Sequence, residues 1–162
     1  MKKYKAGMYG GKFMPFHRGH LHCLQRAIEL CDTVYLVLVC GGNDEERILS
    51  EDRRSFLLPE SRWNQILRVS KEYNGVIPVM IDVSTCRTDD GIEDWDMETP
   101  IMLSACGRFD AVFGSECSYE PYFKRAYPWA DYVLVDPKRA DVSISATAIR
   151  EMESEEMAKW II

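Results

Sequence analysis

The run Thr33-Val34-Tyr35-Leu36-Val37-Leu38-Val39-Cys40 constrains the fold of this chain more than any other segment. It is almost wholly apolar and β-branched, the pattern of a strand buried on both faces of a parallel sheet. Such a sheet needs helices on both sides, which sets the class as α/β. Further β-rich runs lie at Tyr4–Tyr9, Ile77–Val83, Asp110–Gly114 and Asp131–Val135. Helical patterns separate them. Leu21, Leu24, Ala27, Ile28 and Cys31 have amphipathic spacing, and Pro59 opens a helix with the stripe Trp63, Ile66, Leu67 and Ser70. Thr99-Pro100 reads as another helix start and Gly107 as its stop, and a Tyr/Phe-rich segment from Tyr119 to Tyr127 ends at Pro128. The expectation is one domain over residues 1–162, with a mainly parallel five-stranded sheet flanked by helices.

At 162 residues, 46% of them hydrophobic, the chain has the size and core of one domain. Its longest apolar run, Val34–Cys40, is far too short to span a membrane. The N-terminal Met1-Lys2-Lys3-Tyr4 has the charge of a signal peptide without its apolar region or cleavage site, so a cytosolic location is expected. The six cysteines are scattered, several at apolar positions, and read as reduced, buried thiols. A net charge of -6 and a pI near 5.1 argue against extended nucleic-acid binding, but leave room for an anionic small molecule in a locally basic pocket. A homo-oligomer is compatible with this composition. The acidic stretch Thr88–Asp96 reads as an exposed loop.

All three histidines fall within His17-Arg18-Gly19-His20-Leu21-His22, just past the first strand and the turn Gly10-Gly11-Lys12-Phe13-Met14-Pro15-Phe16. A glycine-rich turn leading into a helix N-terminus is where α/β proteins hold phosphate, because free backbone N–H groups and the helix dipole converge there. His17 and His20 share a face if both are helical. Gly19, with no side chain, lets an anion approach the backbone. The two imidazoles then act as donors to phosphoryl oxygens, and Lys12 adds a full charge. A hydrogen-bonded helix cap is the competing explanation for either histidine. A structural zinc site wants four ligands at paired spacing, and nothing here completes one, so no metal site is expected. His22 points away from that face and reads as structural or solvated.

A second cluster is Ile144-Ser145-Ala146-Thr147-Ala148-Ile149-Arg150, with Ser145 as an N-cap, Thr147 in the first turn and Arg150 one turn on. Alone it is a capped surface helix. With the histidine loop it forms the second half of a polyphosphate clamp.

Gly11-Lys12-Phe13-Met14-Pro15-Phe16-His17-Arg18-Gly19-His20 resembles the first signature of the HxGH nucleotidyltransferase superfamily, and Ile144–Arg150 resembles its second, ISxTxxR. Lys12, where related families usually carry Thr or Ser, is similar to the nicotinamide mononucleotide (NMN) adenylyltransferase domain of NadR-type proteins. Val112–Glu116 and Val135–Arg139 are similar to it as well.

The resemblance implies a Rossmann-like domain that transfers AMP from ATP to NMN, giving NAD and pyrophosphate, with Mg2+ carried on the ATP phosphates. It implies that His17 and His20 donate to the phosphates and that Lys12 bridges them. Ser145, Thr147 and Arg150 would hold the β- and γ-phosphates, and Gly10, Gly11 and Phe13 would line the nucleotide loop. Glu116 would accept from the ribose, and Arg139 would face adenine. Trp95 either stacks on nicotinamide or plugs its loop. NadR-type proteins usually continue into a kinase domain. This chain has no Gly-x-x-x-x-Gly-Lys-Ser/Thr motif, so kinase activity is expected to be absent. Two alternatives stand beside this reading: nucleotidyl transfer to another phosphate acceptor (phosphopantetheine, a sugar or polyol phosphate), and a nucleotide sensor without turnover.

Overall fold

The computed structural model describes residues 1–162. Strands β1 (Tyr4–Gly11), β2 (Cys31–Cys40), β3 (Val76–Asp82), β4 (Ala111–Gly114) and β5 (Asp131–Leu134) form one sheet of order β3-β2-β1-β4-β5, every neighbour pair parallel. Helices α1 (Arg18–Leu30), α2 (Asn43–Glu51), α3 (Pro59–Lys71), α4 (Trp95–Ala105), α5 (Glu120–Ala126), α6 (Ala146–Arg150) and α7 (Ser154–Met157) supply the connections. One core cluster holds Leu24, Leu36, Leu38 and Ile66, and a second holds Met8, Val37, Ile81 and Phe109. Leu36, Val37 and Leu38 are completely buried, as a strand covered on both faces requires.

The sheet runs outward from β1 in both directions, so the order reverses between β1 and β4. In such sheets the crevice at the carboxyl ends of these two strands is where ligands bind. Those ends are Gly10-Gly11 and Gly114. Gly7, in the middle of β1, is forced by packing, because a Cβ there would lie 2.7 Å from Cys31 Sγ and 2.8 Å from the Phe113 ring.

Several expectations are corrected. The paired glycines do not break β1, since Gly10 and Gly11 stay in register with Val37 and Leu38. The chain turns out only at Phe13, whose φ of 50° is held by burial of its ring against Tyr9, Phe16 and His20. Cys31 belongs to β2 rather than to the helix before it. α4 starts at Trp95 instead of Thr99-Pro100: Asp94 caps it by accepting from Asp96 N at 3.0 Å, and Pro100 sits inside the helix. Only the first part of the acidic stretch is therefore loop. The buried stripe of α3 is Arg62, Gln65, Ile66, Val69 and Ser70, with Trp63 and Leu67 only partly covered. α2 follows a Gly41-Gly42 turn that the periodicity does not reveal. All six cysteines are free, four of them buried and Cys117 exposed. No helix is long and apolar enough to cross a membrane.

Candidate active site

A cavity of about 560 Å³ opens at the β1/β4 crevice. It is lined by Gly10, Gly11, Lys12, Phe13, His17 and His20 from the end of β1 and the loop into α1, by Trp95, Glu98 and Met102 from α4, and by Glu116 and Arg139 from the segments after β4 and β5. Nine of the twelve residues singled out from the sequence therefore meet in one place. The volume suits a small-molecule ligand.

The histidine pair is built by the backbone. His17 is the N-cap of α1 rather than a helical residue, so the two rings do not share a helix face in the expected way. Instead they stack, with centroids 3.7 Å apart and planes 26° apart. His17 Nδ1 accepts from Gly19 N at 3.0 Å, and His20 Nδ1 accepts from His17 N at 3.2 Å, closing a capping box. The competing explanation of a hydrogen-bonded cap therefore holds for His17, and the same bonds orient both rings. With both Nδ1 atoms occupied as acceptors, the ring proton of each neutral histidine sits on Nε2.

Burial, with help from Arg139, lowers His17 to about 4, and burial holds His20 well below its usual value, with His17, Arg139 and Lys12 adding to the effect. Both rings are therefore neutral at physiological pH, two oriented N–H donors without charge. The space beside Gly19 is filled by the His17 ring, since a Cβ there would lie 2.8 Å from His17 Cε1. The expected approach of an anion to the Gly19 backbone is replaced by that ring.

Lys12 Nζ lies 2.9 Å from Asp44 Oδ2, and Asp44 also pairs with Arg47. Asp44 was missed in the sequence. Its signal is Gly41-Gly42 after β2, which copies the Gly10-Gly11 ending of β1 one strand over. Beneath the loop, fully buried Arg62 donates to the carbonyls of Lys12 and Leu57, each at 2.8 Å, and pairs with buried Glu45, which in turn accepts from Gly41 N. Gln65 brackets Phe16: its Oε1 accepts from Phe16 N at 3.2 Å and its Nε2 donates to Phe16 O at 2.9 Å. These two polar residues fix the carbonyl of Lys12 and the residue before His17.

Arg139 Nη2 faces Glu116 Oε1 at 3.5 Å, which brings together two residues expected at the nucleoside end. Trp95 is partly buried and meets Tyr119 and Tyr122 edge-on at 5.0 and 5.2 Å. It is a helix residue in an aromatic wall, not a loop residue. Ser145 caps α6 by accepting from Ala148 N, as its sequence pattern implies. Ser145, Thr147 and Arg150 do not line the cavity, however. Arg150 instead donates to Met14 O at 2.8 Å and to Thr147 Oγ1 at 3.3 Å, reaching the histidine loop from outside.

His22 lines the same cavity, 3.2 Å from Asp141, rather than facing away from it. Ligand atoms of His22, Asp136 and Asp141 lie within 4.8 Å of one another, a cluster that sequence spacing does not show. The Asp136 carboxylate already accepts from the backbone N–H groups of Ala140, Asp141 and Val142, so it staples its own loop.

A match to the cytidylyltransferase-like family model extends over residues 8–152. The chain belongs to the cytidylyltransferase-like family. Like other members of that family it is a nucleotidyltransferase, an enzyme. It is 30% identical over 154 residues to the phosphopantetheine adenylyltransferase of Mycoplasma capricolum, a match covering 92% of this chain and 96% of that protein. It is 29% identical over 165 residues to the trifunctional NAD biosynthesis/regulator protein NadR of Escherichia coli, covering 93% of this chain and 37% of that protein. Among solved structures, a NadR protein in complex with NR superposes with a TM-score of 0.71 at 23% identity, over 99% of this chain and 44% of that one. A bifunctional NMN adenylyltransferase/ADP ribose pyrophosphatase of Francisella tularensis gives 0.59 at 19% identity, over 91% of this chain and 41% of that one. These likenesses establish that the cytidylyltransferase-like chain has a Rossmann-like nucleotidyltransferase fold.

Proposed function

We propose that this enzyme transfers AMP from ATP, taken as its magnesium complex, to NMN in the cytosol, giving NAD and pyrophosphate. The observation that carries the reading is the stacked histidine pair, with both Nδ1 atoms closed by the backbone and both rings lining the cavity together with Lys12. A phosphate oxygen of the acceptor attacks the α-phosphorus, the bond from that phosphorus to the β-phosphate bridging oxygen breaks, and pyrophosphate leaves with the electron pair. No covalent enzyme intermediate is needed. The work of the protein is to align two anions and offset the charge that builds on the α-phosphate.

In this reading His17 and His20 donate to the phosphates, and neutral donors suit the task because they keep their protons. Lys12 leaves Asp44 to bridge the two reacting phosphates. Arg150, with Thr147 and Ser145, neutralises the departing pyrophosphate, which requires its guanidinium to exchange the Met14 carbonyl for phosphate oxygens. Glu116 and Arg139 take the adenosine, and the nicotinamide ring stacks on Trp95. Lys12 and the NadR-type relatives support NMN. A second reading, transfer to 4'-phosphopantetheine, is favoured by the relatives whose whole length this chain covers.

The test is pyrophosphate release from ATP with NMN, nicotinic acid mononucleotide, 4'-phosphopantetheine and glycerol phosphate offered separately. Turnover with NMN is expected. Turnover only with phosphopantetheine replaces the first reading by the second, and nucleotide binding without turnover with any acceptor defeats both.

A further inference from the structure

The loop between β5 and α6 meets α1 in a group of side chains that nucleotidyl transfer leaves unused. His22 Nε2 lies 3.2 Å from Asp141 Oδ2, and a carboxylate oxygen of Asp136 completes a trio of ligand atoms that all lie within 4.8 Å of one another. Two of the three are held rigidly. His22 stands on the 13-residue helix α1, whose Cys23, Leu24 and Ala27 are packed into the core. The Asp136 carboxylate is fixed by the N–H groups of Ala140, Asp141 and Val142 at 2.7–3.1 Å. The third, Asp141, has 67% of its side chain accessible and is free to adjust. His22 and Asp136 also line the cavity, so the trio is open to a small ion from solvent.

Charge and donor count leave room for a cation here. Neither carboxylate has a lysine or arginine partner, and Arg139 of the same loop is committed to Glu116 and to the carbonyl of Ile144. A carboxylate offers about four acceptor positions, so the three N–H groups on Asp136 leave one open. The His22–Asp141 contact is a hydrogen bond, and a metal ion takes the place of such a proton on an imidazole nitrogen. Ligand atoms bound at about 2.0–2.2 Å, with about 90–110° between them at the ion, stand about 3.0–3.5 Å apart. His22 and Asp141 already have that separation.

We propose that His22, Asp136 and Asp141 bind one divalent cation of the Zn2+ class, which staples the β5–α6 loop to α1. One imidazole nitrogen with two carboxylate oxygens suits a borderline ion, whereas Mg2+ and Ca2+ favour oxygen ligands alone. Water fills the remaining positions. This ion is separate from the magnesium carried on ATP and takes no part in the transfer. Its effect is on order: Arg139 belongs to the stapled loop and lines the cavity, so the ion fixes that wall. The site stands whichever phosphate acceptor the enzyme uses.

The experiment titrates the nucleotide-free, reduced protein with ZnCl2 in a calorimeter, and separately with MgCl2 and CaCl2, in the wild type, His22→Gln and Asp141→Asn. Both side chains are accessible, so the variants keep the fold. One saturable Zn2+ site is expected in the wild type, weakened by about 100-fold or more in either variant, since even a lost outer partner costs a metal site ~10–100-fold. Amide exchange supplies the second readout. At Zn2+ about ten times above its Kd, exchange at Ala140, Asp141 and Val142 is expected to slow about tenfold in the wild type and to stay unchanged in the variants. Absence of saturable Zn2+ binding overturns the proposal, as does an affinity equal in all three proteins, which places the ion elsewhere. Equal affinity for Mg2+ or Ca2+ reduces the trio to an acidic patch and overturns it as well. Zn2+ binding that the variants lose, without slower exchange in the loop, overturns the staple.

Discussion

Replacing Arg62 by methionine removes a side chain with no exposed surface. Three bonds go with it: one to Leu57 O, one to Lys12 O and one to Glu45, itself only 3% exposed. Breaking a buried ion pair from one side costs about 3–5 kcal/mol, because the partner charge stays buried. Each carbonyl that loses its donor adds about 1 kcal/mol. Arg62→Met is therefore expected to cost about 5–7 kcal/mol, a large part of the ~5–15 kcal/mol that holds a domain together. Adding Glu45→Met removes the orphaned charge. The double variant then lacks only the donors to the two carbonyls and the acceptor for Gly41 N, and about 3 kcal/mol of loss is expected. Urea unfolding of wild type, both single variants and the double variant, with equal m-values, gives the coupling directly. A cost below about 1 kcal/mol for Arg62→Met, or a double variant as unstable as the sum of the singles, would refute this account of the buried pair.

In the ligand-free protein His17 should titrate near 4, against an ordinary 6.5, and a ring signal moving with a midpoint near 6.5 in an NMR titration would contradict the neutral stacked pair. The same shift fixes a stability slope. Above pH 6.5 both folded and unfolded chains hold a neutral ring. As pH falls from 6.5 towards 4, the unfolded chain takes up a proton that the folded chain refuses, and up to about 3 kcal/mol of stability is lost, a slope that His17→Asn should flatten. Gly19→Ala places a methyl 2.8 Å from His17 Cε1. The gain in helix propensity, about 1 kcal/mol, offsets part of the clash, so the unfolding midpoint should shift modestly while nucleotidyl transfer falls about tenfold or more. Unchanged turnover would show that the ring can move aside without consequence.

The two candidate loops were legible because their residues are local: Gly10-Gly11 ends a strand, His17 caps the next helix, and Ser145 caps another. The all-parallel sheet followed from apolar runs such as Val34–Cys40. What stayed hidden depends on contacts distant in sequence. Arg62 and Gln65 look like exposed helix positions until Glu45 and Phe16 are placed beside them, which is why the α3 stripe was read correctly at Ile66 and Ser70 but shifted towards Trp63 and Leu67. Asp44 gains meaning only from Lys12, thirty-two positions earlier. Trp95 was assigned to a loop because Pro100 masks the turn of helix before it, and Glu98 was overlooked for the same reason. The C-terminal cluster was expected to complete a clamp with the histidine loop, but Arg150 reaches that loop through the Met14 carbonyl and not inside the cavity.

The last residues of the chain hold the histidine loop as firmly as its own helix does. Arg18 N donates to Trp160 O and Ile162 N to Phe16 O, Gln65 reaches both Phe16 and Ile162, and His17 bridges Ile161. None of these bonds belongs to the sheet. A segment tied down in this way can open as a unit while the five strands stay protected. Such an opening would free the main chain on either side of His17 while the sheet stays intact, and faster amide exchange at Arg18 and Ile162 than in the strands is its expected signature.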